Sequence, residues 1–140
     1  MTTYESDIKT ISSSEEVVFD ILSDLNNLKK LQDNTELTQK VRDLEFDRDS
    51  CSFSVEGIGK VGFKVIEREP FKTIKLESDH AMVHVNIWIQ LKQVEIDDTR
   101  MKLTLKAEIP AMIKMMVDKK LQEGINKVAD FIAMGLSNVK

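Results

Sequence analysis

The hydrophobic period of the sequence changes at Pro110, within the stretch that decides the fold: residues 101–121 read MKLTLKAEIPAMIKMMVDKKL. Before the proline, apolar residues occupy every second position from Met101 to Ile109, which is typical of a strand with one buried face. After the proline, apolar residues recur at helical spacing: Ile113, Val117, Leu121, Ile125, Val128, Ile132 and Leu136. The stretch therefore predicts a strand and then a long amphipathic helix over 111–137, which lays its apolar side on a sheet.

The segments upstream alternate in the same way and predict an antiparallel meander of about six strands. Turn residues separate them, for example at 47–50 and 97–99. Because long one-sided sheets twist and curl, the helix should cover the concave face. The positions predicted to face it are Phe53, Val55, Phe63, Val65, Ile74, Leu76, Val83, Val85, Ile87, Leu103 and Leu105.

The N-terminal part predicts one strand and two short helices. Residues 3–11 alternate, and the following Ser12–Glu16 segment fits a capping box. Asp24 can cap a second helix that ends near residue 32. The expected fold is α+β, with the element order β-α-α-β-β-β-β-β-β-α. We expect one domain over residues 1–140, in which a curved antiparallel sheet of about six to seven strands wraps around the C-terminal helix.

Composition excludes several classes of function. The chain has 140 residues, with 20 Lys plus Arg against 24 Asp plus Glu, a net charge of −4. That balance argues against nucleic acid as the main partner and gives no general attraction to an anionic membrane. No stretch approaches ~20 apolar residues, so no stable membrane insertion is expected. With no signal peptide pattern and one cysteine, Cys51, we expect a cytoplasmic protein.

The motifs that could carry catalysis or bind a metal have simpler explanations. Residues 57–62 match Gly-x-Gly-x-x-Gly, but a strand pattern follows where a phosphate site needs a helix, which predicts a hairpin turn. His80 and His84 would lie about 13 Å apart in one strand, too far to share a metal. Cys51 lies on the apolar face of its strand, where a thiol is inert. We therefore expect no catalytic residue, no metal and no cofactor.

The start of the long helix departs from the rest of it. Met112, Met115 and Met116 point away from the apolar stripe, whereas Lys114 falls inside it. One interpretation is an irregular start from which Lys114 reaches solvent. The other is a lip, at which adaptable methionines surround an opening and Lys114 meets a polar or acidic group. Trp88 also has two interpretations. Its ring either lies over its cross-strand neighbours or belongs to a surface that binds a partner.

The chain resembles the START-related superfamily, also called SRPBCC or helix-grip, and within it the polyketide cyclase/dehydrase-like group. The resemblance covers nearly all residues. The segments that carry it are the opening strand with residues 12–24, the glycine pair at 57–59, residues 67–74, residues 98–100 and the helix that follows Ile109-Pro110. It implies a pocket for a hydrophobic small molecule between sheet and helix. Superfamily members include lipid and hormone carriers, quinone-binding chaperones, aromatase/cyclases and chaperone activators.

Three hypotheses follow for this chain. The first is a non-enzymatic binder of an apolar or amphipathic small molecule; the second is a cyclase/dehydrase-like enzyme, which needs titratable groups in the cavity. The third is a protein-interaction module with a filled core, and a homodimer is a possible assembly. The residues expected to line a cavity are Phe53, Val55, Phe63, Val65, Leu76, Val85, Ile87, Leu103, Leu105, Met112, Ile113, Lys114, Met116, Val117 and Leu121.

Overall fold

The computed structural model describes residues 2–33, 41–55, 59–79 and 84–137. In those residues the elements are, in chain order, β1 (Thr2–Glu5), β2 (Lys9–Ile11), α1 (Glu15–Leu22), a 3-10 helix η1 (Leu25–Asp33), β3 (Val41–Phe46), β4 (Ser50–Val55), β5 (Gly59–Glu69), β6 (Thr73–Asp79), β7 (Val85–Glu95), β8 (Asp98–Ala107) and α2 (Ala111–Ser137). None of the helices in these residues is both long and apolar enough to cross a membrane.

The strands form one antiparallel sheet in the order β1-β8-β7-β6-β5-β4-β3, and β2 pairs with β8 beyond the end of β1. The predicted α+β architecture is therefore confirmed: a curved sheet lies against one long C-terminal helix. The predicted hairpin turn at 57–59 falls partly on residues 56–58, which lie outside the described part of the chain. Gly62, at the end of that motif, lies in β5, where an added Cβ would be 2.8 Å from the Asp79 carbonyl oxygen.

The predicted first strand is divided, which raises the strand count from the expected six or seven to eight. Ser6 separates β1 from β2 and is buried. Its N–H donates to the Leu103 carbonyl at 2.9 Å, and its Oγ accepts from the Leu103 N–H at 2.9 Å. The Ser6 hydroxyl thus supplies a hydrogen-bond acceptor for the β8 backbone where strand pairing is interrupted. Hydrophobic alternation in the sequence gives no information on this role.

Helix α1 begins slightly later than the capping boxes predict. The N-cap is Ser14, whose Oγ accepts from the Val17 N–H at 3.3 Å. The Glu15 side chain binds the sheet instead, since its Oε2 accepts from the Gln93 N–H at 3.3 Å. Gln93 Oε1 in turn accepts from the Glu15 N–H at 2.9 Å. This exchange fixes the start of α1 against β7.

One end of the sheet is closed by α1 and η1. Val18, Leu22 and Leu25 are completely or almost completely buried there, and so are Ile74 and Met101 on the strands beneath them. These side chains are among the most deeply buried of the core.

Arg68 ties the same end together through polar contacts. Its Nη2 donates to the Ser23 carbonyl at 2.7 Å and lies 2.5 Å from Asp49 Oδ1. The guanidinium therefore joins the end of α1 to the β3–β4 hairpin, and it places a positive charge at a helix C-terminus, where it is favourable.

Thr99 provides a test of the polar links at this closed end. Its side chain is fully buried, and its Oγ1 donates to the Ser13 carbonyl at 2.7 Å. Replacing Thr99 by valine keeps the shape but removes the donor, so we expect the free energy of unfolding to fall by ~1–3 kcal/mol in urea titrations. The control is Thr10→Val, at an exposed position of β2. Equal stability of the two variants would contradict this role for Thr99.

Candidate functional site

A row of polar side chains attaches α2 to the N-terminal strands. Asp118, Gln122, Asn126 and Asp130 are spaced four residues apart and therefore share one side of the helix. Their partners follow one another along the N-terminal strands in the same order. The Tyr4 hydroxyl donates to Asp118 Oδ1 at 2.5 Å, and Gln122 Nε2 donates to the Glu5 carbonyl at 2.7 Å. The Asp7 N–H donates to Asn126 Oδ1 at 2.8 Å, and the Lys9 ammonium forms an ion pair with Asp130. We call these four residues of α2 the polar ladder.

The polar ladder places the helix over one edge of the sheet. The main contacts of α2 with strands are those with β1, β2 and β8. Val117 and Leu121 each precede a ladder residue by one position, so they lie about 100° around the helix from it. Leu121 packs against the core. The apolar stripe of α2 is therefore turned away from β1 and toward the rest of the concave face.

Burial on the concave face is uneven toward the start of α2. On β8, Met101 is fully buried, Leu105 is half-buried, and Ala107, nearer to α2, is buried again. On β7, Ile89 is buried, whereas Ile87 and Val85 are half-buried. The large apolar side chains that remain half-buried on this surface, which we call the half-buried apolar face, are Phe53, Val61, Val65, Val85, Ile87 and Leu105.

Burial decreases along α2 toward its start. Ile125 is buried, Val117 is half-buried, and Ile113 is 42% exposed. Since β7 and α2 both become less buried toward this end, the described residues leave apolar surface accessible near the start of α2. The α1 end is packed, so the two ends of the molecule differ.

The residues expected to line a cavity fall into three groups. Phe63, Leu76 and Leu103 are buried in the core; Phe53, Val65, Val85, Ile87, Leu105, Val117 and Leu121 are half-buried; Met112, Ile113, Lys114 and Met116 are exposed. Phe53 and Phe63 stack with ring centroids 6.2 Å apart. The side chain of Val55 lies outside the described part of the structure, as does Val83.

Lys114 lies on the β1 side of α2. It lines an open groove of about 780 Å³ with Thr2, Thr3, Tyr4, Met115, Asp118, Lys119, Gln122 and Glu123. Sequence reasoning found neither this groove nor the Tyr4–Asp118 pair, because the two residues are 114 positions apart. The one available signal was that Lys114 and Asp118 are charged residues one turn apart on the side of the helix that should be buried.

The candidate metal and nucleophile positions show ordinary environments. His84 is exposed, and its Nε2 lies 3.1 Å from Asn86 Oδ1. His80 lies outside the described residues. Within the residues that the structure describes, no group of three or more His, Cys, Asp or Glu side chains could hold a metal ion. Burial raises the pKa of the Cys51 thiol to about 11, so it is protonated and unreactive at neutral pH.

Trp88 lies on the convex face, away from the half-buried apolar face. Its ring is 5.1 Å from the ammonium of Lys75, its cross-strand partner, and 5.5 Å from that of Lys106. These cation–π contacts agree with a ring that lies over its cross-strand neighbours.

The Tyr4–Asp118 bond can be measured directly, because Tyr4 is the single tyrosine of the chain. Burial and the hydrogen bond to the Asp118 carboxylate raise its pKa from 10.0 to about 12. We expect tyrosinate absorbance to rise with a midpoint near 12, with folding followed by circular dichroism. Because the folded state favours the neutral phenol, this contribution to stability is complete below pH 10 and is lost as the pH rises from 10 to 12.

Two variants separate the causes of this shift. Asp118→Asn should lower the midpoint but leave it above 10, since burial is the larger cause. Asp130→Asn, at the other end of the polar ladder, should leave the midpoint unchanged. A wild-type midpoint near 10 in the folded protein would mean that Tyr4 is not held in this way.

Comparison with known proteins identifies the fold. No protein-family model matches the sequence, and a search of curated proteins also finds no match. Among solved structures, the chain is similar to norcoclaurine synthase from Thalictrum flavum in complex with dopamine and hydroxybenzaldehyde, with TM-score 0.75, 15% identity, and coverage of 99% of this chain and 89% of that one.

Two further structures are similar over their whole length. The Aha1 dimer from Colwellia psychrerythraea has a TM-score of 0.67 and 20% identity, and the alignment covers 100% of this chain and 99% of that one. A START superfamily protein from Mycobacterium smegmatis has TM-score 0.64 and 13% identity, with 99% of each chain covered. Identities this low show a shared architecture and nothing more. The chain therefore has the START-like fold, also known as the SRPBCC or helix-grip fold, that its sequence predicted.

Proposed function

We propose that the protein binds an apolar or amphipathic small molecule between the half-buried apolar face and the apolar stripe of α2, without catalysing a reaction. The observation that carries the proposal is the set of half-buried apolar side chains on the sheet and on the helix near the start of α2. On β7, Val85 and Ile87 are less buried than Ile89, and on α2, Val117 is less buried than Ile125. An apolar ligand bound there would remove these half-buried side chains from contact with water.

The affinity would come from apolar surface removed from water. A ligand that buries roughly 300 Å² of apolar area would gain about 7 kcal/mol, before the entropic cost of association is subtracted. That is enough for useful binding and does not require a strong polar contact.

The cyclase-like enzyme remains the second candidate, and the chemistry of the site disfavours it. The six side chains of the half-buried apolar face are aliphatic or aromatic, and burial raises the pKa of the Cys51 thiol on the same face to about 11, so none of these groups is a base at neutral pH. The nearby Tyr4 hydroxyl has a pKa of about 12 and donates to Asp118, which makes it a poor base at neutral pH. A cytoplasmic location fits the proposal, since the free Cys51 needs no oxidising compartment.

The test is binding of two probes, anilinonaphthalene sulfonate and a fluorescent long-chain fatty acid, followed by fluorescence titration. Val85→Trp adds bulk at the open end of the half-buried apolar face and should weaken binding about tenfold, or ~1.4 kcal/mol. Lys92→Trp adds the same ring at an exposed position of the same strand and should leave the affinity unchanged. Thermal unfolding of each variant checks that the fold is retained.

A second substitution covers the case in which Val85→Trp does not fold. Val117→Gln places an amide on the helix side of the proposed site and should also weaken the binding of both probes. If the wild type binds neither probe, or if all variants bind as the wild type does, the proposed site is wrong.

A further inference from the structure

The first three turns of α2 expose a cluster of apolar side chains that fold stability does not explain. Met112, Met115 and Met116 are 83%, 88% and 76% exposed, and Ile113 is 42% exposed. These four residues, which we call the methionine patch, lie within five consecutive positions. Soluble surfaces seldom keep so many large apolar side chains together unless they contact a partner.

Two lysines flank the methionine patch. Lys119 and Lys120 are exposed, as is the acidic Glu123 one turn beyond Lys119. Lys114 and Asp118 line the groove on the β1 side of α2. The Asp118 carboxylate is engaged, since it accepts the hydrogen bond of the Tyr4 hydroxyl. The side of α2 that carries the patch thus has two lysines against one glutamate, in a protein whose net charge is −4.

The lysines are free to meet an external anion. Lys119 is 89% exposed, and its ammonium lies 3.9 Å from Glu123, a distance at which an exposed pair contributes little. An ammonium on a flexible stem is a good partner for phosphate groups.

We propose that the methionine patch docks reversibly on the surface of an anionic lipid bilayer. The methionines and Ile113 enter the boundary between head groups and acyl chains, and Lys119 and Lys120 contact lipid phosphates. The charge complementarity favours this surface, and unbranched methionine side chains adapt to a fluid one. The helix does not insert across the bilayer, because it is neither long nor apolar enough.

This docking would hold the accessible end of the ligand site near the bilayer, and in that respect it rests on the proposed function. The patch occupies the end of α2 near which Val85, Ile87 and Val117 are half-buried, although its methionines point away from the apolar stripe.

The experiment is flotation of the full chain with vesicles of two compositions. One set contains equal parts of phosphatidylcholine and phosphatidylglycerol, and the other contains phosphatidylcholine alone. We expect binding to the anionic vesicles, at least tenfold weaker binding to the neutral ones, and loss of binding as salt is raised. Equal binding to both compositions, or none to either, would overturn the proposal.

Paired variants assign the effect to the patch. Lys119→Glu with Lys120→Glu should weaken binding to anionic vesicles about tenfold or more, because each lysine near such a surface contributes about 1 kcal/mol. Met112→Ser with Met116→Ser should weaken it by a similar factor. The controls are Lys127→Glu and Met134→Ser, exposed positions farther along the same helix, which should bind as the wild type does.

Two more readouts separate this proposal from its alternatives. Sedimentation velocity without lipid tests whether the patch joins two copies of the chain; a dimer that the patch variants dissociate would replace the lipid surface as its partner. Probe binding in vesicle-free solution tests the ligand site alone. Probe uptake without vesicle binding would refute the docking and leave the proposed function standing, and vesicle binding without probe uptake would do the reverse.

Discussion

The attachment of α2 to the first strands determines how much of the sheet remains accessible. The polar ladder pairs successive turns of the helix with Tyr4, Glu5, Asp7 and Lys9. Its individual bonds are modest, since an average hydrogen bond contributes about 1 kcal/mol and a surface ion pair less. Their geometric effect is larger, because four contacts on one line fix the rotation of the helix about its axis.

The apolar contacts of α2 decide its position, and the polar ladder decides its orientation. Ile125, Ala129, Ile132 and Leu136 are buried against the sheet in the C-terminal half of the helix. In the N-terminal half, the equivalent line carries Asp118 and Lys114, which cannot be buried without partners. The helix therefore packs tightly at one end and only through polar contacts at the other, and the apolar stripe beside the ladder stays half-covered.

Hydrophobic alternation was sufficient to predict the sheet, its inward face and the covering helix. It could not predict the polar ladder, since Asn126 and Asp130 look like solvent-exposed residues until Asp7 and Lys9 are brought beside them by the fold. The division of the first strand at Ser6 and the cap at Ser14 were missed for a related reason. In both cases a side chain completes a backbone hydrogen bond, and periodicity carries no information on such bonds.

The charge of the whole chain and the charge of its helix start lead to opposite expectations about anionic surfaces. The net charge of −4 gives no general attraction to anionic lipid. At physiological salt, however, exposed charges are screened beyond about 8 Å, so acidic residues on distant parts of the molecule contribute little to a contact at α2. What a surface meets at the methionine patch is Lys119 and Lys120, with Glu123 one turn beyond Lys119. The hydrogen bond to Tyr4 leaves Asp118 charged but holds its carboxylate on the β1 side of the helix, away from that surface.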